Sequence, residues 1–114
     1  MNDKKKSQDE LGDCFTIAGR QILNNYSSKD LVLVHGLVIG HGALHGVYHR
    51  HAWVEKDDQV IDCSTGKEII LPKEVFYALG RIEVTFRYSQ EEALKKMLDY
   101  GFFGPWEEVL KNHI

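Results

Sequence analysis

Leu31-Val32-Leu33-Val34-His35-Gly36-Leu37-Val38-Ile39 is a nine-residue run broken only by one histidine and one glycine. It is too short for a membrane span and dense in β-branched residues, so it reads as a central strand buried on both faces. Outward from it, Gly40-His41-Gly42-Ala43-Leu44-His45-Gly46 is a connector, and Val47 to Glu55 forms a second strand. Asp57-Asp58 makes the turn into a third strand, Gln59 to Cys63. Upstream, Asp13 is an N-cap for a helix reaching about Asn25, with Phe15, Ala18 and Ile22 on one face. Residues 1–12 are a polar segment.

The second half carries its own punctuation. Pro72 opens a short helix that Gly80 ends. Ile82 to Tyr88 alternates as a strand. Ser89-Gln90-Glu91-Glu92 is a capping box for a helix with Leu94, Met97 and Leu98 on one side and Gly101 at its end. Phe102-Phe103-Gly104-Pro105-Trp106 is an aromatic turn, read as helix-end packing rather than a substrate groove, before a last short helix. The order predicts an α+β fold: an antiparallel sheet of about four strands with the first helix packed on it, residues 13–114 forming a single domain.

At 114 residues the chain can bury roughly two-thirds of its unfolded surface. A net charge of −3 gives no footprint for nucleic acid. Lys4-Lys5-Lys6 is balanced by Asp9 and Glu10 and reads as a solvated tail. No apolar run is long enough for a membrane span and no leader is visible, so the expected setting is cytoplasmic and reducing. A Cys14–Cys63 disulfide stays open as an alternative.

Three residues suggest chemistry. Cys14 stands where a helix begins, and a helix N-terminus favours a thiolate. His51 lies on the second strand and can serve as its base, and Asp62 on the third can fix the tautomer. Register decides whether they meet. If Ile39 faces Val47, paired numbers sum to 86 and His35 stands opposite His51, with β-carbons roughly 5 Å apart. An even turn at Asp57-Asp58 makes the next pair sum 115 and puts Asp62 on the face of His51 and Trp53. An odd turn brings Cys63 there instead. For the thiol to arrive, the first helix should cross the sheet face that carries His51. The bland reading of Cys14 is a small buried hydrophobe, and of His35 a hydrogen-bonded core histidine. Functionally, His35 is a neighbour or oxyanion donor for His51, and Trp53 walls the site.

At these residues the chain resembles the papain-like and transglutaminase-like superfamily of cysteine enzymes. Gln8, six before Cys14, matches the glutamine that helps form the oxyanion hole, with Gly12 two before the cysteine and Phe15 after it. His51-Ala52 matches the family histidine, and His51-Ala52-Trp53-Val54-Glu55 through Ile61-Asp62 is similar to transglutaminase-like domains. Cys63 departs from the proline usual there. The second half, with Arg87-Tyr88 and Gly104-Pro105-Trp106, is similar to small uncharacterised phage and bacterial proteins. The resemblance implies a hydrolase or acyltransferase acting on a peptide or isopeptide amide of a protein partner through a thioester, with no cofactor. Two rivals stand beside it. One is a non-catalytic protein-binding module on the same fold. The other is a zinc protein using His35, His49 and His51 with a cysteine, where His41 and His45 lie on the glycine-rich loop.

Overall fold

The computed structural model describes residues 13–25, 30–39 and 47–112. The polar segment 1–12 with Gln8 and Gly12, and the loop with His41 and His45, therefore lie outside the described residues.

Helix α1 spans Cys14–Asn24 and is followed by β1, Leu31–Ile39. Next come β2, Tyr48–Lys56, β3, Gln59–Asp62, and β4, Ile69–Pro72. Helix α2, Lys73–Leu79, leads to β5, Thr85–Ser89, then α3, Gln90–Tyr100, and α4, Glu108–Lys111. The strands form one antiparallel sheet in the order β4-β3-β2-β1-β5, with β1 interior between β2 and β5. The class is α+β as expected, with five strands rather than about four. The additional strand is Ile69-Ile70-Leu71-Pro72. Its closing proline is tolerated because β4 is an edge, where a missing N–H breaks no ladder.

The α3 capping box forms as read: Glu92 N–H donates to Ser89 Oγ at 3.1 Å, and Ser89 N–H to Glu92 Oε1 at 2.9 Å. Gly101 closes the helix in the left-handed region at φ 78°. None of the described helices is long and apolar enough to cross a membrane.

The first hairpin differs by one residue from the sequence reading. Leu31 pairs with Lys56 and Ile39 with Tyr48, so pair numbers sum to 87 rather than 86. A one-residue shift turns every side chain over. His35 therefore faces Ala52, and it is Gly36 that stands opposite His51. The shift is compatible with packing because β1 is apolar on both sides. Leu31, Leu33, Ala52 and Val54 join Phe15, Ala18 and Ile22 of α1 in one core, with Tyr88, Ala93 and Trp106. Val34, Val38, Trp53 and Val60 form the second core under Phe76, Tyr77 and Ile82. Gly36 makes room there: a β-carbon on it would lie 2.7 Å from Val84 O and 3.0 Å from the Trp53 ring.

The second hairpin follows the sum of 115, with Val54 opposite Ile61 and a two-residue turn at Asp57-Asp58. Asp57 takes φ 56°, a conformation that suits a tight hairpin and that aspartate accepts more readily than most residues. Asp62 consequently points to the same face as Trp53 and His51.

Candidate active site

Asp13 sets the position of the thiol. Its carboxylate accepts the backbone N–H groups of Phe15 at 3.1 Å and Thr16 at 3.2 Å, which fixes Cys14 as the first residue of α1. Phe15 is buried in the core and anchors that turn, while Cys14 itself is half-buried.

His51 is held from the opposite side. Its Nε2 lies 2.9 Å from Asp62 Oδ2, and the other carboxylate oxygen accepts the Ser64 N–H at 2.9 Å. With Nε2 turned to the carboxylate, Nδ1 is the nitrogen left for the sulfur. Cys14 is near enough to this ring to help hold its charged form.

The route by which sulfur meets imidazole corrects the expectation that α1 crosses the face of His51. Helix α1 covers the Leu33–Ala52–Val54 face, and His51 belongs to the other. The ladder from β3 reaches β2 only at Val54, Glu55 and Lys56. The N-terminal half of β2 thus lies beyond the β3 ladder.

Burial by itself pulls the His51 pKa down. The Asp62 hydrogen bond, the Cys14 hydrogen bond and the charges of both outweigh it and raise the value to about 10. For Asp62, burial raises the carboxyl, but the His51 hydrogen bond and charge, with Ser64, bring it below its ordinary value. The two shifts describe one ion pair seen from each end. Cys63 goes the other way: burial, then the negative charges of Glu68 and Asp62, push its thiol up. Of the two free thiols, Cys14 is the one beside a cation, and the disulfide alternative is not formed.

Trp53 is fully buried and stacks on His51, with ring centroids 5.8 Å apart and planes 29° apart. It supports the imidazole from within the core and is no exposed wall. Its Nε1–H donates to Glu55 Oε2 at 2.9 Å, and the Tyr77 hydroxyl donates to the same oxygen at 2.6 Å. Arg87 pairs with Oε1 at 2.6 Å and Lys73 lies 3.6 Å away. Burial raises the Glu55 carboxyl, but Tyr77, Trp53 and Arg87 outweigh this and lower it. This carboxylate, 1% exposed, fixes the indole that supports His51, and sequence reasoning overlooked it. The signal was there: a glutamate two positions after Trp53 on an apolar strand must share its inward face. Ser64 was overlooked too, though Asp-x-Ser is a common local turn.

His35 is not beside His51. It is fully buried on the α1 face, caged by Phe15, Trp106 and Tyr88 at centroid distances of 4.7, 4.8 and 5.2 Å. Neither ring nitrogen finds a hydrogen-bond partner among the described residues, and burial lowers its pKa to about 3. The register therefore does not place it beside His51; the core reading holds as to burial, with no hydrogen-bond partner for the ring among the described residues. The zinc arrangement loses His35 for the same reason. His49 and His51 do share a face, with centroids 6.1 Å apart, but no group of three or more His, Cys, Asp or Glu among the described residues is placed to hold a metal ion.

Comparison with protein-family models, with curated proteins and with solved structures finds no match.

Proposed function

We propose that this chain is a small papain-like or transglutaminase-like cysteine enzyme that acts on an amide bond of a protein or peptide. The observation that carries the reading is the position of His51, fixed at Nε2 by Asp62 and charge-coupled to the sulfur of Cys14. Cys14 attacks the carbonyl carbon, the S–C bond forms and the C–N bond breaks, and the thiol proton passes through His51 to the departing amine. The resulting thioester is resolved by water in hydrolysis or by a second amine in transfer. The Cys14 backbone N–H lies ahead of the amides that Asp13 engages and serves the oxyanion together with Gln8. Two free thiols suit a reducing, cytoplasmic setting.

The thioester is the testable species. In Cys63→Ser protein, p-nitrophenyl acetate should release a stoichiometric burst of p-nitrophenol and leave acetyl on Cys14, located by peptide mass spectrometry. Cys14→Ala should abolish both. Acetylation confined to surface lysines, with no burst, rules out the enzyme and favours a binding module on this fold.

A further inference from the structure

Strand β2 runs from Tyr48 to Lys56, but the β3 ladder covers it only at Val54, Glu55 and Lys56. The direction of the backbone groups left bare follows from β1. The Leu37 N–H donates to Val84 O at 3.1 Å and the Ile39 N–H to Gly80 O at 2.8 Å, so both amides turn away from β2. In an antiparallel pair the residue opposite turns away likewise, and the partner of Leu37 is Arg50. The peptide N–H and C=O of Arg50 therefore point to the β3 side, past the end of the ladder. Neither has a backbone partner among the described residues. Arg50 is exposed, and its guanidinium donates to Leu110 O and Lys111 O of α4 at 3.3 and 3.4 Å.

The same stretch of β2 borders a pocket. His51, the residue after Arg50, and Asp62, the last of β3, line a concavity of about 270 Å³ on the α2 side of the sheet. Its other walls are mostly hydrocarbon, with Ile69 and Leu71 of β4 and Phe76 and Leu79 of α2. Leu79 is 59% exposed and Ile69 42%. Apolar walls left partly bare around a concavity suit an apolar ligand group.

We propose that an extended peptide docks along this bare edge of β2, exchanging backbone hydrogen bonds with Arg50 and placing an aliphatic side chain of about leucine size in the pocket. An unpaired N–H and C=O on one exposed strand residue are both met by the backbone of an added strand, the way peptides join open sheet edges. A peptide residue opposite Arg50 turns its side chain to the same face as Arg50. Its immediate neighbours turn theirs to the face of His51, where the pocket opens. Edge and pocket thus ask for one ligand, an extended backbone with an apolar side chain one residue away. The site needs neither the thiol nor the base and so goes beyond the cysteine-nucleophile reading. Where that reading holds, a peptide substrate lies here beside His51.

Acetyl-Thr-Thr-Leu-Thr-Thr-amide, whose threonines favour an extended backbone, is titrated into ¹⁵N-labelled protein beside the same peptide with alanine in place of leucine. The Arg50 amide signal should move downfield and exchange more slowly with solvent as peptide binds. The leucine peptide should bind about tenfold tighter than the alanine one, the order of discrimination that an apolar pocket supplies for a few methylenes. Leu79→Glu on the exposed rim should remove that difference while the Arg50 amide still responds. Arg50→Pro, which deletes the N–H at an open strand edge where proline is tolerated, should weaken both peptides alike. An Arg50 amide that neither peptide moves overturns the site, as do equal affinities for the two peptides in the unsubstituted protein. A p-nitrophenol burst alongside either of those results overturns the docking site alone. Binding as expected in protein that shows no burst supports the site and removes the enzyme.

Discussion

His51→Ala should slow alkylation of Cys14 by iodoacetamide at pH 6 by about tenfold or more, measured in a Cys63→Ser background. An unassisted thiol ionises near pH 8.5, so about 0.3% of it is thiolate at pH 6. In the native site the neighbouring ring is positive at that pH, because Asp62 and Cys14 hold the charged form against the cost of burial. A cation near a sulfur favours the thiolate that iodoacetamide attacks, so removing the ring should slow the reaction. Alanine also deletes a ring that stacks on Trp53, so a thermal melt accompanies the rate measurement. Asp62→Asn should give an intermediate rate, since the amide still contacts Nε2 without its charge. An unchanged rate in His51→Ala would remove His51 from the chemistry.

The second large effect concerns stability. His35 is neutral and buried in the folded state, with its pKa lowered to about 3 by burial from 6.5. The unfolded chain takes up this proton more readily, so stability is complete above pH 6.5 and declines as pH falls toward 3. The whole interval, ~3.5 pH units at about 1.4 kcal/mol each, caps the loss at roughly 5 kcal/mol. That is comparable to the lower end of a domain's total stability, about 5–15 kcal/mol. Near pH 4.5 roughly 2–3 kcal/mol should already be gone. Asp62 and Glu55 have lowered pKa values, so their contributions are lost only below the ordinary carboxylate range. His51, raised, contributes fully below pH 6.5 and loses its share as pH rises toward about 10.

The interval from pH 6.5 to 4.5 therefore isolates His35. Urea unfolding of the unsubstituted protein and of His35→Leu at pH 7 and pH 4.5 reads it directly. The leucine protein should lose little across the interval. It should also match or exceed the parent at pH 7, because two buried nitrogens with no partner among the described residues are replaced by hydrocarbon. A parallel decline in both proteins would show that the acid sensitivity lies elsewhere.

Much of this arrangement was legible in the residues. Asp13 before an amphipathic helix, the capping box at Ser89, and Asp57-Asp58 between two strands each carry local chemistry that names its own geometry. The even turn at Asp57-Asp58 was enough to bring Asp62 to the face of His51. What was hidden lay where local signals are silent. The β1–β2 register depends on a glycine-rich connector with no fixed turn type, and β1 is apolar on both faces, so alternation cannot choose between sums of 86 and 87. That single ambiguity moved His35 from the proposed site to the opposite core. Pro72 does open the helix that Gly80 ends, but the short strand before it, Ile69–Pro72, carries too few residues for alternation to announce it. Glu55 was masked by its place in a motif read for its histidine. Its network with Trp53, Tyr77 and Arg87 joins residues far apart in the chain.

Everything catalytic in this account depends on Cys14 and His51 acting as one unit, and histidine ring ¹⁵N NMR through a pH titration tests that most directly. The ring of His51 should stay protonated well past neutrality, with a midpoint near 10, and Cys14→Ala should move that midpoint down because one of the groups holding the charge is gone. A midpoint near the ordinary value of 6.5, or one that Cys14→Ala leaves where it was, would contradict the account.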